Sequence, residues 1–185
     1  GQQLSIFNWM DVLKDCIPAE AVTIIDGNAT LQAAGAIIPA GFPVSRMTPG
    51  QNGCMGTGIP FAFGARLATG KPVILITGDF AVGINIMEIE TVVRHNEFVI
   101  IIVINNSGNS GSVRQHQYFG KDYPENICQF QSEIRYHEMM QAVGGHGVMV
   151  TSREEMTRAL DAALAAGKPT LINAITSKET ALVQL

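Results

Sequence analysis

The run Val99-Ile100-Ile101-Ile102-Val103-Ile104 limits the fold more than any other part of this sequence. It is apolar throughout and of strand length, far too short to cross a membrane. Similar β-branched runs at 22–26, 73–77, 98–104, 148–150 and 170–175 read as strands. Between them lie stretches of helical period, at 4–15, 29–37, 56–68, 84–95, 132–143 and 152–166. Strands without a polar face, separated by helices, imply an α/β fold with a parallel sheet covered by helices on both faces. Ligands of such sheets bind beyond the carboxyl ends of the strands, so functional residues are sought just after each run. The last long helix has the clearest boundaries: Ser152 with Glu155 forms a capping box, and Gly167 before Lys168-Pro169 closes it.

The 185 residues fit one domain, 1–185, with enough chain to bury a core unaided. The content of 46% hydrophobic and 15% charged residues suits a compact enzyme domain rather than a disordered tail. A net charge of -4, with no Lys/Arg run, gives no nucleic-acid footprint and no basic membrane-binding face. Cys16, Cys54 and Cys128 match neither a disulfide framework nor a zinc signature, and the expected compartment is a reducing cytoplasm. Small molecules and protein surfaces are the expected partners. The polar stretch 107–131 is long for a loop inside a compact domain, and loops of that length are usually functional or mobile.

Chemistry concentrates in TGDFAVGINIMEIETVVRHNEFVIIIVINNSG, residues 77–108. Asp79 and Asn106 stand 27 residues apart, each just past a strand, so a strand-helix-strand unit would bring their side chains together at one sheet edge. A carboxylate, an amide oxygen and a nearby carbonyl make a hard-oxygen site suited to Mg²⁺ that also binds a diphosphate. Either residue alone would serve equally well as a helix cap or a turn former. Upstream, RMTPGQNGCMGTGIPFAFGA is glycine-rich and places Pro60 early in a helix, where its missing donor costs nothing. It is not a dinucleotide fingerprint, because Gly56-Thr57-Gly58 lacks the third glycine. In Asp26-Gly27-Asn28-Ala29-Thr30 another strand runs into a helix whose free amides could hold a phosphate, with a side-chain bond from Asn28 or Thr30. His137-Glu138 is not a zinc-protease motif, and His95, His116 and His146 have no partners at ligand spacing.

The 77–108 segment resembles the thiamine diphosphate (ThDP) motif of the acetolactate synthase, oxalyl-CoA decarboxylase and 2-hydroxyacyl-CoA lyase family. The resemblance runs from about Trp9 to Ala174 and identifies the chain as the diphosphate-binding domain of the ThDP-binding fold. It implies ThDP and Mg²⁺ as cofactors, with Asp79, Asn106 and the carbonyl of Gly108 as metal ligands. It also implies that Gly78, the Phe80 and Ala81 amides, and the Asn28-Ala29-Thr30 turn contact the diphosphate. Gly53 would give its carbonyl to the 4'-amino group, and Met55 would hold the cofactor bent; as a lone methionine Met55 could equally be core filler. Phe80 departs from the Gly or Ser usual at its position. The implied activity is carbon-carbon cleavage of a 2-oxo or 2-hydroxy acid or its CoA thioester, as in a decarboxylase or lyase. Open alternatives are an acetolactate-synthase-like carboligase, the small subunit of a split sulfopyruvate-type decarboxylase, and a non-catalytic nucleotide-binding module. In the family a glutamate on a separate pyrimidine-binding domain activates the cofactor. No match puts Glu88 or Glu90 in that role, so the domain is expected on a partner in a dimer or tetramer, docked on apolar surface beside the glycine-rich segment.

Overall fold

The structure, a computed structural model, describes residues 3–43, 45–109 and 128–178. Six parallel strands form one sheet in the order β2-β1-β3-β4-β6-β5. They are β1 (Val22–Asp26), β2 (Arg46–Met47), β3 (Val73–Gly78), β4 (Val99–Asn105), β5 (His146–Val150) and β6 (Thr170–Ile175). The all-apolar runs take the centre, where alternate residues feed two separate cores. Ile74, Ile76, Ile100, Ile102 and Ile104 face one layer; Val73, Leu75, Val99, Ile101 and Val103 face the other. Helices α1 (Ile6–Cys16), α2 (Asn28–Ile37) and α7 (Arg153–Ala166) cover the first face. The second is covered by α3 (Gly58–Thr69), α4 (Asp79–Ile84), α5 (Glu88–Arg94) and α6 (Tyr136–Ala142).

The chain moves outward from β1 to β2 and then returns to the other side of β1 with β3. Neighbours β1 and β3 therefore flank the point where the winding reverses, and a crevice opens there beyond their carboxyl ends. Register aligns those ends closely, with Asp26 opposite Thr77 and Gly78 opposite Ile104.

Three sequence expectations need correction. The helix expected at 84–95 is two helices, α4 starting at Asp79 and α5 at Glu88, with a break at 85–87. The edge strand β2 was not foreseen, since two residues carry no periodic signal. Strand β5 is not apolar throughout; as the other edge it leaves Val148 and Met149 exposed. The capping box of Ser152 and Glu155 is present, with Gly167 left-handed at the helix end. No described helix is long and apolar enough to cross a membrane. Residues 110–127, the middle of the long polar stretch, with His116, lie outside the described residues.

Trp9, the single tryptophan, is fully buried in the first core, and its indole N–H donates to the Ile175 carbonyl at 3.3 Å. Trp9→Ala removes that packing and the indole hydrogen bond, so we expect about 3–5 kcal/mol of lost stability. Urea unfolding followed by circular dichroism checks it; a change below about 1 kcal/mol would mean that α1 is not part of the cooperative core.

Candidate functional site

Asp79 follows β3 as the first residue of α4 and is buried, 2% exposed. Its Oδ1 accepts from the Phe80 amide at 2.8 Å, and its Oδ2 accepts from the Gly108 amide at 2.9 Å. Burial pushes the carboxyl up to about 6, although the amides of Gly108, Phe80 and Ser107 pull the other way. Removal from water thus outweighs the hydrogen bonds, and a nearby positive charge would reverse that balance.

The end of β4 supplies the other groups. The terminal atom of the Asn106 amide that faces the site lies 3.3 Å from Asp79 Oδ1 and 2.8 Å from the Gly108 carbonyl oxygen. Among protein groups alone, the amide is satisfied when its nitrogen faces those two oxygens. Turned over, it completes three converging oxygens with no hydrogen between them, the donor set of a hard divalent cation. Oxygens bound to Mg²⁺ at right angles stand about 3.0 Å apart, given metal-oxygen distances of about 2.1 Å. The spacing of these groups fits that octahedral edge. Among the described residues no cluster of three His, Cys, Asp or Glu side chains could hold a metal, so the fit rests on mixed oxygen donors.

The loop after β4 is shaped to expose these groups. Ser107 takes a left-handed φ of 59°, rare for a residue with a side chain, and directs the Gly108 amide at Asp79. Asn105 holds that turn: its Oδ1 accepts from the Ser107 amide, and its Nδ2 donates to Asn173 Oδ1 and to the Ile134 carbonyl. At Gly108 a Cβ would collide with the Cys128 carbonyl, so only glycine allows the returning chain to pass. Tyr136 reaches the Asp79 carbonyl from below at 3.4 Å; burial, with the Asp79 charge adding to it, pushes the phenol up. None of Asn105, Asn173 and Tyr136 stood out in the sequence, because a buried polar network has no fixed spacing.

A shallow depression beside Asp79 is lined by Gly27, Ala29, Thr30, Met55, Gly78, Phe80, Ala81, Asn106 and Gly108 among others. The structure thus brings most of the sequence-derived candidates together. Gly53 is exposed, left-handed at φ 59°, and outside that lining. Helix α2 starts after Gly27 without a side-chain cap, leaving the first-turn amides unpaired within the helix. The side chains there behave otherwise than expected. Thr30 is 1% exposed and its hydroxyl bonds the Asp26 and Gly27 carbonyls, while Asn28 accepts from Gln32. Phe80 needs no glycine-like φ, because it lies in the first turn of α4; its ring stacks on Phe130 at 5.9 Å. A roomier groove between β5 and α7, lined by Val148, Ala159 and Ala162, has no carboxylate in its lining and lies away from the reversal point. Convergent oxygens and unpaired amides favour the smaller depression as the site.

The glycine-rich segment is fastened to this depression. Asp26, buried at the end of β1, accepts from Gly27 at 2.7 Å, from Gly56 at 3.0 Å and from Gly58 at 2.8 Å. Burial raises its carboxyl, opposed by those three amides. From the other side Asn85 Nδ2 donates to the Gly56 carbonyl at 2.8 Å.

Several known proteins resemble this chain. Oxalyl-CoA decarboxylase of Escherichia coli K12 is 34% identical over 177 residues, covering 94% of this chain and 31% of that protein. A 2-hydroxyacyl-CoA lyase of Oryza sativa is 34% identical over 173 residues, covering 89% and 30%. A probable acetolactate synthase of Mycobacterium bovis is 33% identical over 170 residues, covering 91% and 31%. The chain therefore spans about a third of the length of these relatives. The solved structure of a thiamine diphosphate-dependent 4-hydroxybenzoylformate decarboxylase from Rhodococcus jostii RHA1 shares the fold, with a TM-score of 0.84 at 24% identity over 98% of this chain and 34% of that one. Residues 27–174 match the family model of the C-terminal TPP-binding domain of thiamine pyrophosphate enzymes, and the chain belongs to that family.

Proposed function

We propose that this chain is the diphosphate- and metal-binding part of a ThDP-dependent carbon-carbon lyase acting on a 2-oxo or 2-hydroxy acid or its CoA thioester. The convergence of Asp79, Asn106 and the Gly108 carbonyl at the ends of β3 and β4 carries the reading. When bound, ThDP supplies a carbon nucleophile that adds to a carbonyl and accepts the electron pair of the neighbouring bond as it breaks. Asp79, Asn106 and the Gly108 carbonyl would hold Mg²⁺. First-turn amides of α2, at Asn28, Ala29 and Thr30, and of α4, at Ala81, would face the diphosphate together with Gly78. The Phe80 amide bonds Asp79 Oδ1 and so would orient that carboxylate. Gly53 would offer its carbonyl to the aminopyrimidine, and half-buried Met55 would keep the cofactor bent. The similarity to an oxalyl-CoA decarboxylase and a 2-hydroxyacyl-CoA lyase favours a thioester substrate. The similarity to an acetolactate synthase supports a second reading, carboligation by the same site.

We further propose that a pyrimidine-binding domain, on a partner in a dimer or tetramer, supplies the activating glutamate. Glu88 and Glu90 are exposed on α5 and bond Thr91 and Arg94, outside the depression. Ile84 and Met87 are 49% and 69% exposed, and Ile84 lies against Gly56, which suits an apolar interface beside the glycine-rich turn. The deciding assay offers oxalyl-CoA, 2-hydroxyacyl-CoA and 2-oxo acids to the complete protein and to this chain alone. Cleavage that requires ThDP, Mg²⁺ and the facing domain is expected. Full activity from this chain alone would refute the shared site, and carboligation without cleavage products would favour the second reading.

Asp79→Ala should abolish Mg²⁺-dependent ThDP binding and Asn106→Ala should weaken it strongly, as measured by isothermal titration of the complete protein. Undiminished affinity in the Asp79 variant would remove the metal site. The same titration tests the carboxyl. With a folded value of about 6 against 3.8 unfolded, Asp79 stabilises the cation-free fold while protonated, and that contribution is lost as pH rises through about 6. A cation competes with this proton, so Mg²⁺ affinity should fall by about tenfold per unit below pH 6. Constant affinity from pH 5 to 7 would contradict the competition.

Met55→Ala should keep most of the cofactor affinity and lose turnover, because the diphosphate anchor remains while the bent geometry does not. Steady-state kinetics beside titration separates the two effects. Normal turnover would return Met55 to the role of core filler.

A further inference from the structure

The glycine-rich turn is gripped at a single residue, Gly56, by two side chains from different parts of the chain. Gly56 donates its N–H to Asp26 Oδ2 at 3.0 Å and receives the Asn85 amide on its carbonyl at 2.8 Å. Asp26 ends β1, on which the α2 turn depends, while Asn85 ends α4, the helix that begins with Asp79. Gly56 has a left-handed φ of 88°, and a Cβ there would stand 2.7 Å from Ile84 Cγ2, so α4 packs directly on the turn. Asp26 also accepts from Gly58, the first residue of α3, and so fixes where that helix starts. The turn after β1 and the helix α4 that follows β3 are therefore both tied to Gly56. Met55, the neighbouring residue, lines the depression, and Gly53 lies two residues further back.

We propose that Asp26 and Asn85 are positioning residues for the ring end of the cofactor: they hold the Gly53–Met55 turn at a set distance from the metal-binding loop. The inference rests on the ThDP and Mg²⁺ reading above. Neither side chain is among those assigned to the diphosphate or the metal, and both act on the turn proposed to meet the rings. Loss of the Asn85 half of the clamp should therefore be felt by the rings and not by the diphosphate. A purely structural role in holding α3 would weaken every ligand alike and lower the melting temperature.

The test titrates the complete protein with two probes, ThDP and inorganic pyrophosphate, each with Mg²⁺, and records thermal melting. Asn85 is exposed, so Asn85→Ala should fold normally. We expect it to bind ThDP about tenfold more weakly, to hold pyrophosphate within about twofold, and to shift the melting temperature by no more than about 2 °C. Asn85→Asp keeps the size but turns an acceptor toward the Gly56 carbonyl, and should lose at least as much ThDP affinity. Asp26→Asn sets an amide group against backbone donors at the α2 turn as well as at Gly56 and Gly58, so it should weaken both probes, ThDP more than pyrophosphate. Equal loss for both probes, or no loss for either in the Asn85 variants, would overturn the positioning role. If the unaltered protein bound neither probe, the cofactor reading itself would fail.

Discussion

Gly78 pairs with Ile104 across β3 and β4, and this one register match brings together two residues far apart in sequence. Because both strands are parallel and central, Asp79 and Asn106 leave them within one residue of the same level and on the same edge. Had the register slipped by one residue, the side chains at 74 and 76 would exchange cores with those at 73 and 75, so the apolar pattern itself enforces the alignment. Site geometry is thus inherited from core packing. The cost is a carboxylate taken out of water, visible in the raised Asp79. That cost is partly offset by the backbone amides of Gly108, Phe80 and Ser107 and would be offset further by a cation.

The loops then convert alignment into a donor set. On the β4 side, Asn105 and Asn173 hold the turn that gives Ser107 its left-handed backbone, and this turn aims both the Gly108 amide and the Asn106 side chain. On the β1 side, Asp26 gathers three amides from two loops. Both devices are polar side chains satisfying backbone groups that a loop would otherwise leave unpaired in a buried place. They tie the loops of the depression to the strand ends.

Central strands, the two-faced parallel sheet and the pairing of Asp79 with Asn106 were legible in the sequence, since each follows from apolar period and strand-end position. The family motif added Gly108 and Met55, and the structure brings both to the depression. Other features were hidden for physical reasons. The break at 85–87 lies inside a stretch whose apolar period continues across it, and only the bond of Asn85 to Gly56 shows its use. Thr30 looked like a phosphate donor because hydroxyls at helix starts often are, yet its hydroxyl is consumed by backbone carbonyls next to it. Asp26 looked like the end of a strand; that it grips residues about thirty positions later is a tertiary fact with no local signal.

Membership of the thiamine pyrophosphate enzyme family gives a TPP-binding domain, and the oxygen-lined depression is compatible with that. The most direct test of that agreement is diffraction from crystals of the complete protein grown with ThDP and Mn²⁺, using the anomalous signal of manganese. One manganese peak within bonding distance of Asp79, Asn106 and the Gly108 carbonyl, with diphosphate beside the starts of α2 and α4, is the expected result. A metal or diphosphate bound elsewhere, with Asp79 and Asn106 still bonded only to each other and to the backbone, would contradict it.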